Sequence, residues 1–270
     1  MSEVMPHEKG NGRPRIGLAL GGGAARGFAH YGVLVALEEA GIPIDVIAGT
    51  SAGSIMGALY AAGMALSEID KHIQQMTWRQ GAKFTLSTSG FITLSPLAGW
   101  LEAILGELHF EDLAIPFACA TTDLLTGESV ILNSGRLALA VQASCSIPGI
   151  VAPVLHNGRL LCDGGITNNV PVSLARQLGA DYVIGVDIFE PTLKWPYGPL
   201  GHGLAAIEIM VGQAGNGTQT ADCLITPNLK GRSYVHFSQR QELIEEGRQA
   251  AQQCLPAIKQ AINKQLHSMG

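Results

Sequence analysis

Within its first sixty residues the chain twice repeats one arrangement: a short apolar run, an abrupt glycine turn, then apolar residues at helical spacing. Ile16-Gly-Leu-Ala-Leu20 stops at Gly21 and reads as a buried strand. Val33, Leu34 and Leu37 share one face of a helix predicted from about Ala25 to Ala40, which Gly41 ends. Asp45-Val-Ile-Ala48 is the next strand, closed by Gly49, and a second helix is predicted from Ser51 to about Ala62. Strand–turn–helix units in series build a parallel sheet covered by helices. The fold class is therefore α/β: a single domain with a mainly parallel sheet and helices on both faces. Residues 1–15 are polar and read as a loose N-terminal tail; the domain runs over 16–270.

The rest of the chain continues in the same style. Trp78 to Leu94 is the least patterned stretch and reads as a long loop or flap. A helix is expected over Leu97 to Leu105. Strands are expected at Phe117 to Thr121 and Ser129 to Leu132, joined by a turn at Thr126-Gly127. Leu137 to Ala143 reads as a helix, and Arg159 to Cys162 as a strand meeting Asp163-Gly164-Gly165. Pro171 suits the first turn of a helix ending near Gly179. Tyr182 to Asp187 and Cys223 to Thr226 read as strands, and Leu204 to Gln213 as a helix. Glu190 to Gly201 reads as a proline-rich crossover. Gln239 to Gln265 reads as a helix with a break at Pro256.

Composition narrows the function classes. Hydrophobic residues make up 47% and charged residues 14%, the reverse of a disordered chain. A net charge of −5 argues against nucleic-acid binding through a basic surface and does not favour anionic lipid by simple electrostatics. The 5 cysteines are widely spaced and form no CxxC pair, so neither a disulfide framework nor a zinc site is expected. A reducing, cytoplasmic setting fits them. No stretch of about 18 apolar residues occurs, so no spanning helix is predicted.

Three short motifs can carry chemistry. Gly49-Thr50-Ser51-Ala52-Gly53 fits G-x-S-x-G between a strand and a helix. In that setting a serine on a strained turn presents its hydroxyl as a nucleophile; the plainer alternative is a structural turn with Ser51 as an N-cap. Gly21-Gly-Gly-Ala-Ala-Arg-Gly27 also joins a strand to a helix and can aim several N–H groups at one anion. It fails the dinucleotide fingerprint G-x-G-x-x-G in either frame. That leaves an oxyanion hole or a tight helix entry. Asp163-Gly164-Gly165 places a carboxylate at a strand end, as a catalytic group or as a simple aspartate turn.

Taken in order along the chain, these motifs resemble the patatin-like phospholipase family, in particular its bacterial members related to neuropathy target esterase. The resemblance runs from about Ile16 to Asp187. It includes Phe28-Ala-His30, Ile115-Pro-Phe117, Ala120-Thr-Thr-Asp123, Ala143-Ser-Cys-Ser-Ile-Pro148 and Asn168-Asn-Val-Pro-Val172. It implies lipid acyl-ester hydrolysis by a Ser–Asp dyad: Ser51 as nucleophile, Asp163 as base, and oxyanion donors at Gly22, Gly23 and Ala24. Arg26, Gly27, Gly49, Gly53 and Gly164 complete the motifs. Ala24 stands where the family has its third glycine, and alanine disfavours positive φ. The resemblance implies no cofactor and no metal. It implies a lipid substrate, with peripheral contact at the inner membrane surface as a further expectation, and leaves the oligomeric state open. Acyl transfer with the same dyad, or a weakly active adaptor on the same fold, are the alternatives. A triad histidine drawn from His202, His236 or His267 would fit the order Ser, Asp, His. His30 lies near enough to the glycine loop to line the site, or simply packs.

Overall fold

The structure, a computed structural model, describes residues 13–77, 81–87, 90–191 and 198–268. Strands β1 (Ile16–Leu20) and β2 (Val46–Thr50) pair in parallel. The remaining strands are β3 (Lys83–Ser87), β4 (Gly90–Thr93), β5 (Phe117–Asp123), β6 (Ser129–Leu132), β7 (Val154–His156), β8 (Arg159–Asp163), β9 (Tyr182–Val186) and β10 (Cys223–Ile225). The main sheet has the order β10-β9-β1-β2-β5-β8-β7, with β6 also paired to β5. From β10 to β5 all pairs are parallel, while β6, β7 and β8 join antiparallel. The sheet is thus mainly parallel, as the sequence predicts.

The helices are α1 (Phe28–Glu39), α2 (Ala52–Ala61), α3 (Leu66–Gln75), α4 (Ser95–Leu105), α5 (Leu137–Ser144), α6 (Val172–Gln177), α7 (Gly198–Gln213), α8 (Gly217–Thr220) and α9 (Arg240–Ser268). Side chains alternate across each strand, and the two faces differ in size. Ile16, Leu18, Leu20, Ile47, Phe117 and Ile184 enter a large core with α1, α2 and α9. Ala19, Ala48, Ala118 and Ala120 face the smaller core under α6. Small residues there let α6 lie close to the sheet.

The structure departs from the sequence reading at five places. Arg13–Arg15, counted with the tail, are fastened. Arg13 forms an ion pair with Asp45 at 2.6 Å, and the Arg15 carbonyl accepts the N–H groups of Asp181 and Tyr182. Residues 1–12 lie outside the described residues. Within the expected flap, β3 and β4 form an antiparallel hairpin; residues 78–80 and 88–89 lie outside the described residues. Helix α3 was not anticipated, although Ile69 and Ile73 sit one turn apart and are buried. The β7–β8 hairpin was missed too, and its turn is Asn157-Gly158, both at positive φ, a strong hairpin signal. Finally, α9 runs through Pro256 without a break. Gln252, whose carbonyl loses its donor to the proline, is exposed, so water can take the place of that hydrogen bond. Of the expected crossover, residues 192–197 lie outside the described residues.

Candidate active site

Ser51 occupies the turn between β2 and α2 with φ +50° and ψ −122°. A non-glycine residue persists there only when its surroundings over-determine it. They do. A Cβ at Gly53 would lie 2.1 Å from the Leu20 carbonyl oxygen, and one at Gly49 would lie 2.6 Å from Ser54 Cα. Both positions must be glycine for strand and helix to meet this closely. The Ser51 N–H donates to Ser144 Oγ at 2.9 Å, and Ser144 Oγ donates to the Ala120 carbonyl at 2.7 Å. Ser51 stands at the N-cap position of α2, yet its hydroxyl caps no N–H. The alternative of a purely structural capping serine therefore does not describe it.

Asp163 ends β8, opposite Thr121 of β5. The close approach of Gly164 to the Ala120 carbonyl, 2.3 Å from a hypothetical Cβ, lets the turn fold over β5. The carboxylate accepts the Gly165 N–H at 2.7 Å and has the Ser51 side chain as a near neighbour. Burial pushes the Asp163 carboxyl up to about 6, against the opposing pull of Ser51 and the Gly165 N–H. The simple aspartate turn is thus part of the arrangement without exhausting it. No described histidine is among the groups that act on this carboxylate. His202 and His236 are exposed, and the His267 side chain lies outside the described residues.

The glycine loop is held from three sides. The Gly22 N–H donates to Asn169, to its Oδ1 at 3.1 Å and its carbonyl at 3.4 Å. Its donor is therefore occupied, although the resemblance assigns Gly22 to the oxyanion hole. The Ala25 N–H donates to the Tyr234 carbonyl at 3.0 Å. Gly23 and Ala24, between them, have N–H groups with no acceptor among the described residues. Gly23 is extended, with φ 170°, whereas Ala24 takes φ +48°. The missing glycine thus falls at a left-handed position, and the loop carries that strain.

Arg26 is fully buried. It donates to the Glu190 carbonyl at 2.7 Å and twice to the Arg232 carbonyl, at 2.7 and 3.2 Å. Its guanidinium also stacks 3.8 Å over the Tyr234 ring. Sequence reasoning flagged Arg26 but missed Tyr234. It also missed Arg240, which donates to the carbonyls of Ile73, Gln74 and Met76 and so fastens the end of α3.

From Ser51 and Ala24 an apolar cavity of about 140 Å³ leads inward. Its walls come from Ile55 and Met56 of α2, Ile73 of α3, Leu97 and Trp100 of α4, and Phe237. Cys145 also lines it, and burial holds that thiol above its usual range. The site can therefore place an acyl group in an apolar chamber with a serine hydroxyl at its mouth.

A family model for patatin-like phospholipases matches residues 18–176. The chain belongs to that family. It is 39% identical over 183 residues to an uncharacterized NTE family protein of Mycobacterium tuberculosis, covering 67% of this chain and 51% of that one. It is also 39% identical over 179 residues to lysophospholipase NTE1 of Coccidioides immitis, covering 64% of this chain and 11% of that one. The chain thus spans about half the length of its mycobacterial relative. VipD from Legionella pneumophila shares the fold, with a TM-score of 0.57 at 16% identity over 90% of this chain and 67% of that one.

Proposed function

We propose that this patatin-like domain hydrolyses lipid acyl esters, of the phospholipid or lysophospholipid class, with Ser51 as nucleophile and Asp163 as general base. One observation carries the reading: a serine hydroxyl on a strained turn neighbours a buried carboxylate at the end of an apolar cavity. The lysophospholipase name of the fungal relative supports the substrate class.

In this mechanism Asp163 accepts the Ser51 proton as Oγ bonds to the ester carbonyl carbon. The carbonyl π electrons move onto oxygen, where the N–H groups of Gly23 and Ala24 meet the developing charge. The intermediate collapses, the C–O bond to the alcohol breaks, and Asp163 returns the proton to the leaving oxygen. Water then attacks the acyl-serine with Asp163 again as base, releasing the fatty acid and restoring Ser51. A carboxyl near 6 is ionised at neutral pH and more basic than a solvated aspartate, which suits the role. The reading places the protein in the cytoplasm, meeting its substrate at the inner membrane surface; five free thiols accord with a reducing compartment.

The test is labelling with a fluorophosphonate probe, followed by peptide mapping. Phosphonylation of Ser51, lost in Ser51→Ala and strongly slowed in Asp163→Asn, is the expected result. Undiminished labelling or ester turnover in Ser51→Ala would overturn the assignment.

A further inference from the structure

The exposed large apolar side chains of this domain are not scattered over its surface. Phe84 of β3, 86% exposed, and Phe91 of β4 project from the hairpin. Leu124 and Leu125, the latter 76% exposed, form the turn after β5, and Leu155 of β7 is 72% exposed. Ile209 and Met210 of α7 and Val235 before α9 complete the set among the described residues.

All of these segments lie at one pole, the C-terminal edge of the parallel strands. Ser51 follows the end of β2 there, and the glycine loop follows the end of β1. The hairpin, β7 and the turn after β5 are also continuous. The Phe91 N–H donates to the Ile150 carbonyl, Ile92 bridges to Val151, and β7 begins at Val154. Leu155 pairs with Leu160, whose carbonyl accepts the Leu124 N–H. Val151, inside this run, lines the cavity, as do Gly81 and Leu94 on either side of the hairpin. Apolar side chains therefore border the cavity that Ser51 lines.

Two exposed lysines lie within this patch. Lys83, beside Phe84, and Lys230, in the strap that carries Val235, are exposed. Of the acidic groups at this pole, Asp123 and Glu128 share Arg159, at 3.4 and 2.7 Å, Glu208 lies on α7, and Asp187 and Glu190 follow β9.

We infer that this pole is an interfacial docking surface for a phospholipid bilayer. Phe84, Phe91, Leu125 and Leu155 enter the acyl boundary, while Lys83 and Lys230 meet the head groups. The inference rests on the proposed lipid substrate for its choice of occupant. Docked this way, an ester drawn from the bilayer reaches Ser51 without crossing water.

Vesicle flotation tests it. Ser51→Ala protein is expected to float with phosphatidylcholine vesicles and with anionic phosphatidylcholine–phosphatidylglycerol vesicles. Substituting Phe84→Ser, Phe91→Ser and Leu125→Ser together should lower the partition coefficient roughly tenfold or more, and Lys83→Glu with Lys230→Glu should lower it only on the anionic vesicles. The triple variant should still hydrolyse a soluble short-chain ester at the parent rate, since none of its three positions lines the cavity. Flotation with Ser51→Ala needs no turnover, so loss of the hydrolase reading leaves this arm intact. Parent-like flotation of the triple variant would overturn the inference. So would light scattering that shows a dimer of the parent and a monomer of the variant, which would assign the patch to a second copy.

Discussion

His30 Nε2 lies 2.8 Å from the carbonyl oxygen of Gly21. The imidazole reaches back from the first turn of α1 to the start of the glycine loop, fully buried. A carbonyl only accepts, so Nε2 carries the hydrogen, and the buried Nδ1 has no partner among the described residues. His30 thus packs beneath the loop and orients it rather than touching an acyl group. His30→Leu, which leaves the Gly21 carbonyl unpaired, is expected to cost about 1–3 kcal/mol of stability. It should also lower kcat roughly tenfold with KM little changed, because the amides of Gly23 and Ala24 lose their alignment. His30→Gln, which restores a donor, should recover most of the rate. Equal rates in the two variants would show that the contact does not govern the loop.

Two buried groups, His30 and Asp163, give opposite pH slopes to stability. Burial lowers His30 to about 4, so between pH 6.5 and 4 the unfolded chain takes up a proton that the folded chain refuses. That term, about 3 kcal/mol, is fully present above pH 6.5 and is lost as pH falls. Asp163, raised to about 6, is protonated in the folded chain before the unfolded one. Its contribution is fully present at low pH and is lost as pH rises through 6. Between pH 4 and 6 the two slopes offset one another. Asp163→Asn should therefore unmask a steep loss of stability on acidification, and raise stability at pH 8 by about 1–3 kcal/mol. Urea midpoints measured from pH 4.5 to 8 for parent and variant decide it; parallel curves would contradict the assigned shifts.

Catalysis should follow the Asp163 carboxyl alone. A general base works only when ionised, so kcat/KM is expected to rise about tenfold per pH unit below 6 and to level off above it. Asp163→Asn should lose roughly a hundred- to ten-thousand-fold at the plateau. A second inflection between 6.5 and 7.5 would point instead to a histidine in the proton path.

Much of this arrangement was legible in the sequence because its main constraints are local. Gly49 and Gly53 flank Ser51 within five residues, and their closeness to Leu20 and Ser54 is what a strand-to-helix turn of that size demands. The alternation of β1, β2 and β9 with their helices could likewise be read from short apolar runs. What escaped was contact between distant segments. Asn169 occupying the Gly22 N–H, Tyr234 under Arg26 and Arg240 on the end of α3 join residues far apart in the chain. No periodicity announces such pairs. The Asn157-Gly158 turn was a local signal left unread, and the β3–β4 hairpin hid because Ser, Thr and Gly in its sequence imitate a loop.

Trp100 and Leu97 of α4 form one wall of the cavity. Its volume, about 140 Å³, is close to that of a cavity known to hold benzene, roughly 150 Å³. It therefore takes the first carbons of an acyl chain. Trp100→Ala removes a large wall and should shift preference toward longer chains. The ratio of kcat/KM for decanoyl over butanoyl esters is expected to rise roughly tenfold. An unchanged ratio would place the chain elsewhere.

Strain at the two left-handed residues of the site should be separable from catalysis. Ser51 at φ +50° and Ala24 at φ +48° each pay about 1–2 kcal/mol for a conformation that glycine adopts freely. Against this, glycine costs about 0.5–1 kcal/mol of added unfolded-chain entropy. Ser51→Gly and Ser51→Ala should both be inactive, yet the glycine variant should be the more stable by about 0.5–1 kcal/mol. Ala24→Gly should gain a similar amount while keeping the open N–H, so its activity should stay within about threefold of the parent. Ala24→Val, with a branched side chain at the same φ, should lose stability and rate together. Thermal melts of the four variants beside the parent check the order. A glycine variant no more stable than its alanine counterpart would show that the turn is not held against its own preference.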